Sequence, residues 1–132
     1  IRQQAESLDL DPDVLKRSVN TYSKGMRQKL GLIATIMTGC DFLILDEPMS
    51  GLDPKARVCV KDNIVGLREQ GKTVFLSSHI LSDMSEICDK IAILHAKTIQ
   101  FYGSPQELMQ KYNMSSLERA FLETIKDEKQ AA

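Results

Sequence analysis

The chain has 132 residues, 42% of them hydrophobic and 27% charged, with a formal net charge of −1. That is about one domain's length with the balance of a soluble globular protein. No basic run points to nucleic acid, and apolar runs as short as Phe42 to Leu45 cannot span a bilayer.

The start, Ile1-Arg-Gln-Gln-Ala-Glu6, is polar and lacks a signal-peptide pattern, and an initial isoleucine points to a chain that begins within a longer protein. Asp11-Pro12-Asp13 opens a predicted helix that fades near Asn20, with Asp11 as cap and Pro12 in the first helical position. A longer helix begins at Lys24. Its stripe is Met26, Leu30, Ile33 and Met37, and Gly39 ends it. Phe42-Leu-Ile-Leu45 is an unbroken apolar run, which predicts a strand buried on both faces. Pro54 starts the next helix, with Val60, Ile64 and Leu67 on one face.

That helix runs into Gly66-Leu-Arg-Glu-Gln-Gly-Lys-Thr73, which fits G-x-x-x-x-G-K-[ST] letter for letter. A phosphate loop needs a strand before its first glycine and a helix after its Lys-Thr end. Here Gly66 lies in a helix, Gly71 is the helix stop, and Thr73-Val-Phe-Leu-Ser77 is β-rich. The order is the reverse of the one required, so the match is rejected.

Downstream, a helix carries Ile80, Met84 and Ile87 on one face. Lys90 to Leu94 and Thr98 to Tyr102 read as a hairpin around His95-Ala-Lys97. Ser104-Pro105-Gln106-Glu107 is a capping box, and Ser115 to Glu118 repeats it ahead of a helix with Leu117, Phe121 and Ile125 spaced by four. From Lys126 the tail is polar and expected to fray. Cys40, Cys59 and Cys88 are odd in number with no close pair, which disfavours disulfide and zinc frameworks and predicts reduced thiols as small core residues.

Alternating helix and apolar strand gives an α/β fold with a parallel sheet. Two central strands and a hairpin are few for this much helix, so the chain reads as part of a domain.

Three places can carry chemistry. Asp46 and Glu47 end a buried strand at the carboxyl edge of the sheet, where open α/β folds place ligands. Asp46 could hold a hydrated Mg²⁺ while Glu47 faces an attacking water; equally, both could be solvated acids at a strand end. Tyr22-Ser23-Lys24-Gly25-Met26 sets a hydroxyl and a glycine at a helix start, which suits an anion or an ordinary N-cap. His79 follows a strand and could contact a phosphate, or be structural. His95, in the hairpin turn, reads as surface.

In this order the segments resemble the ATPase domain of ABC transporters. Tyr22 to Met26 resembles the family signature, usually Leu-Ser-Gly-Gly-Gln; Phe42 to Glu47 resembles Walker B with its glutamate; Ser50-Gly-Leu-Asp53 resembles the D-loop; His79 resembles the switch histidine. The likeness covers residues 20 to 105 closely. It departs at Tyr22, Lys24 and Met26, and at Ala96, where the family's hairpin often has glycine. The family's Walker A loop, adenine-stacking aromatic and glutamine loop have no counterpart in these residues.

The resemblance implies an incomplete P-loop NTPase (ABC ATPase) fold. Residues 1–38 would be the end of the helical subdomain with the signature helix, 39–103 the Walker B to switch-histidine part of the core, and 104–132 a C-terminal helical segment. It implies ATP and Mg²⁺, with Glu47 and His79 catalytic, Asp46 holding the metal through water, and Ser23, Lys24, Gly25 and Asp53 facing ATP across a dimer. It further implies a second ATPase domain, a transmembrane permease partner, and a place in the cytoplasm on the inner membrane face. Without Walker A, the fragment alone is expected to hydrolyse little ATP and to self-associate. Rival readings are a chromosome ATPase of the SMC type, which would need an upstream heptad coiled coil that Pro12 interrupts, an ABC-type translation factor, and a truncated, non-catalytic interaction module. Ser116-Leu-Glu-Arg-Ala-Phe-Leu122 resembles the tail of ATPases serving bacterial export.

Overall fold

A computed structural model describes the backbone of residues 1–131 and the side chains of residues 1–126. The chain divides into two compact units, Ile1–His79 and Ile80–Ala132.

The first unit begins with helix α1 (Arg2–Ser7), followed by 3₁₀ turns at Pro12–Lys16 and Val19–Thr21. Neither matches the single helix expected from Asp11 to Asn20. Asp11 does cap, accepting from the Asp13 N–H at 2.9 Å. But only Val14 of Pro12–Lys16 is buried, and an α-helix this short needs a packed face to persist. The α1 segment has no capping side chain and buries only Ala5, so the sequence gives little sign of it.

Helix α2 (Lys24–Met37) starts where expected, with Ser23 accepting from the Met26 N–H at 3.1 Å. Gly39 ends it at φ +71. Its inward face differs from the apolar stripe: Lys29, Leu32 and Ile33 are buried and Met37 is exposed. Apolar spacing does not show this face, because a lysine takes one of its buried positions. Tyr22, just before the helix, is also buried, and its hydroxyl donates to the Val14 carbonyl at 2.7 Å.

Strand β1 (Phe42–Asp46) pairs in parallel with β2 (Thr73–Ser77), Asp46 opposite Ser77. Between them runs helix α3 (Pro54–Glu69), capped by the Asp53 side chain, which accepts from the Ala56 N–H at 2.9 Å. It buries Ala56, Val60, Ile64 and Leu67, as the spacing predicts, and packs on β2. Each fully buried aliphatic side chain of this kind contributes about 1.5–3 kcal/mol. Gly71, at φ +80, closes the helix and the chain enters β2 directly. The Gly66 to Thr73 segment is therefore a helix end, not a phosphate loop.

Strand β1 is buried on one face only. Leu43 and Leu45 point inward, while Phe42 (56%), Ile44 (68%) and Phe75 of β2 (62%) are exposed. Ile44 stands opposite Phe75 in the register, so these side chains share one face. The continuous apolar run anticipates cover on both sides, and within this unit only one side has it.

The second unit holds α4 (Leu81–Ile87), the antiparallel hairpin β3 (Ile91–His95) and β4 (Thr98–Gly103), α5 (Pro105–Lys111) and α6 (Leu117–Ala131). Met84, Ile87, Ile93, Leu108, Leu117 and Ala120 form its core. The hairpin turn is Ala96-Lys97, with φ +46 and +68; His95 belongs to β3 and is half-buried rather than on the surface. The box at Ser104 and Glu107 forms with both reciprocal bonds. The second box is displaced by one residue: Ser116, not Ser115, accepts from the first turn of α6, at the Arg119 N–H. Helix α6 buries Leu117, Ala120 and Thr124, leaves Phe121 and Ile125 half-buried, and continues past Lys126. Ala132 lies outside the described residues. No cysteine is fully buried: Cys40 is exposed, and Cys59 and Cys88 are half-buried, which corrects their placement in the core.

Candidate functional site

The residues singled out in the sequence all lie in the first unit, in two groups. The first forms at the carboxyl ends of β1 and β2. Parallel pairing brings these ends side by side, so residues 31 positions apart meet: the Ser77 hydroxyl donates to Asp46 Oδ1. The next residue, Glu47, leaves the strand with φ +45, a left-handed conformation disfavoured for a residue with a Cβ. Such strain persists only where surrounding bonds hold it. Here the Glu47 N–H donates to Ser77 Oγ at 3.0 Å, and its carbonyl accepts from the Gln28 side chain and the Ser50 N–H, both at 3.0 Å.

The turn aims the Glu47 carboxyl across the strand ends at His79. His79 Nδ1 lies 2.7 Å from Glu47 Oε1. The other oxygen, Oε2, is buried and has no hydrogen-bond partner. A buried carboxylate oxygen is costly to leave without a hydrogen bond, so Oε2 is placed to accept one from a donor in the site. Beside this cluster a groove of about 220 Å³ is lined by Arg27, Gln28, Thr35, Ile44, Asp46 and Pro48 among others.

The second group joins two chain segments. At the start of α2, Gly25 lies against the Leu52 side chain, whose tip would be 3.4 Å from a Cβ at that position. The Lys24 side chain lies over Gly51. Ser23 caps α2 and Asp53 caps α3, and the approaches of Gly25 to Leu52 and of Lys24 to Gly51 set the two helix starts side by side.

Sequence reasoning missed Ser77 and Gln28. Ser77 was legible as the last residue of β2, but its role depends on the register that sets it opposite Asp46. Gln28 carries no motif signal, and only the packing of α2 beside β1 brings it to Glu47.

The likeness to known proteins decides the family. The ABC transporter family model matches residues 1–50. An uncharacterized ABC transporter ATP-binding protein of Synechocystis is 46% identical over 71% of this chain and 27% of its own length. A fluoroquinolones export ATP-binding protein of Mycobacterium tuberculosis is 40% identical over 68% of this chain and 30% of its own. A solved ATP-binding subunit of an ABC transporter superposes with a TM-score of 0.84 at 26% identity, over 93% of this chain and 52% of that one. The chain belongs to the ABC transporter ATP-binding family. Its fold is a partial version of that family's P-loop NTPase fold, and it spans less than a third of the length of these two curated relatives. Among the described residues, no helix is long and apolar enough to cross a membrane.

ABC ATP-binding domains use ATP with magnesium, and the residues present suit both. No group of three or more potential metal ligands exists among the described residues. Asp46, at the carboxyl end of β1, offers an oxygen donor of the kind magnesium takes.

Proposed function

We propose that this chain is the C-terminal part of an ABC transporter nucleotide-binding domain, and that in the intact protein it completes an ATP-hydrolysing site that powers transport. The observation that carries the reading is the strained Glu47, paired with His79 through one oxygen and left with a buried, unpartnered second oxygen. In this role Glu47 is the catalytic base: Oε2 accepts from the attacking water, while the contact with His79 fixes the carboxyl in place. His79, exposed beside it, contacts the phosphate being transferred. Asp46, oriented by Ser77, would hold Mg²⁺ through water, and the ion would supply charge stabilisation to the phosphate oxygens. Ser23, Lys24 and Gly25, with Asp53, face ATP held by a second ATPase domain. The Ser23 hydroxyl accepts from the Met26 N–H in capping and still has its own proton to donate.

The partners are a second ATPase domain and a transmembrane permease, which places the protein in the cytoplasm at the inner membrane face. Domain organisation follows the same reading: helical subdomain to residue 38, α/β core to 103, C-terminal helices beyond. These residues contain no phosphate loop in the required context, so the chain alone should turn over little or no ATP. The deciding experiment is Glu47→Gln in the intact protein. Turnover should fall on the order of 100-fold or more, while ATP-bound dimers accumulate. A variant that cycles normally would remove Glu47 from the chemistry.

A further inference from the structure

Lys29 occupies the buried face of α2 and is 8% exposed. A buried ammonium needs partners, and this one donates to the Asp9 carbonyl at 2.8 Å and lies 3.9 Å from Asp9 Oδ2. The other Asp9 oxygen accepts from Lys55 Nζ at 2.7 Å. Asp9 has φ +52, a conformation that glycine adopts freely and aspartate adopts at a steric cost. A residue held there, and contacted by cations from two different helices, is a junction. The Lys55 pair is largely exposed and by itself contributes little, so the buried Lys29 carries most of the weight.

The two helices joined at Asp9 are the ones whose N-termini form the second group of site residues. Lys29 lies six residues, roughly 9 Å along the axis, from Ser23. Lys55 lies two residues after Asp53. At the starts of the same helices, Gly25 of α2 lies against Leu52 and Lys24 lies over Gly51, both in the loop that leads into α3.

We propose that the Lys29–Asp9–Lys55 junction is a positioning device that holds the Ser23–Gly25 helix start and the Ser50–Asp53 loop in fixed register. Its effect on catalysis rests on the proposed function, because these two segments matter for turnover only if they face nucleotide.

The test uses the intact protein carrying Lys29→Met, Asp9→Gly or Lys29→Arg. Methionine keeps the buried stem without the charge. Glycine removes the carboxylate and relieves the backbone strain. Two quantities are read: hydrogen exchange of the Ser50, Leu52 and Ala56 amides, which bond to Glu47, Met49 and Asp53 respectively, and ATPase kcat against KM. Lys29→Met should raise exchange at these amides about fivefold and lower kcat by about fivefold, with KM for ATP nearly unchanged. Asp9→Gly should do the same more weakly, and Lys29→Arg should restore both. Unchanged exchange in a folded Lys29→Met protein overturns the proposal. Raised exchange with unchanged kcat overturns it too, since the junction would then be structural only. If the parent protein neither binds nor hydrolyses ATP, the functional reading fails, and the exchange measurement alone decides whether the junction holds the two segments.

Discussion

Glu47 and His79 meet at 2.7 Å although 32 residues separate them, because β1 and β2 are parallel neighbours that end together. The contact restrains a carboxyl whose backbone is already held by Ser77, Gln28 and Ser50. Replacing His79 with alanine should therefore release the Glu47 side chain without unfolding the unit, since His79 is exposed. In the intact protein, turnover should drop by about 100-fold with ATP affinity largely kept. Steady-state kinetics beside equilibrium nucleotide binding would check this, and a His79→Ala enzyme with full kcat would contradict it.

The uncovered face of the two-stranded sheet makes a prediction for the chain by itself. Phe42, Ile44 and Phe75 form a contiguous apolar surface on strands whose outer edges are unpaired within the first unit. Such faces and edges recruit other chains. The isolated chain should associate as its concentration rises, and Ile44→Lys with Phe75→Lys should shift it toward monomer. Light scattering across a dilution series reads this directly; a compact monomer at high concentration would refute it.

Ala96 pays for its side chain in the hairpin turn. With Lys97 it forms a two-residue turn having positive φ at both positions, a geometry that prefers Asn-Gly or Gly-Gly. Ala96→Gly removes the clash but frees the unfolded chain, so the net gain should be about 0.5–1 kcal/mol. A higher urea midpoint for the second unit is the expected result. A lower one would mean that the turn is not strained.

Acid should weaken the start of α5. The Ser104 N–H bond, followed by Lys90, holds the Glu107 carboxyl below its ordinary value of 4.5. A carboxyl depressed in the folded state stabilises fully above its unfolded pKa, and that stability is lost as pH falls through the lower folded value. The stability curve of the second unit should thus fall below about pH 4.5, with a shallower acid limb in Glu107→Gln. Glutamine can still complete the capping box, so the comparison isolates the charge. Identical acid limbs would show that this carboxyl is not coupled to folding.

Local physics made much of this protein readable from its residues. Ser23, Asp53 and Ser104 cap helices because short oxygen-bearing side chains satisfy free N–H groups, and Gly71 stops α3 because it adopts positive φ without strain. The apolar spacing of Val60, Ile64 and Leu67 set the buried face of α3, and the context of Gly66 to Thr73 ruled out a phosphate loop. The acids, the histidine and the signature segment were likewise visible as motifs. Only tertiary structure decided what depends on distant partners. Lys29 is buried because the Asp9 carbonyl accepts from its ammonium, β1 is half-exposed because nothing in this unit covers its outer face, and Ser77 reaches Asp46 because strand register aligns them. Periodicity reports which residues share a face of one element; it carries no information about what lies opposite that face.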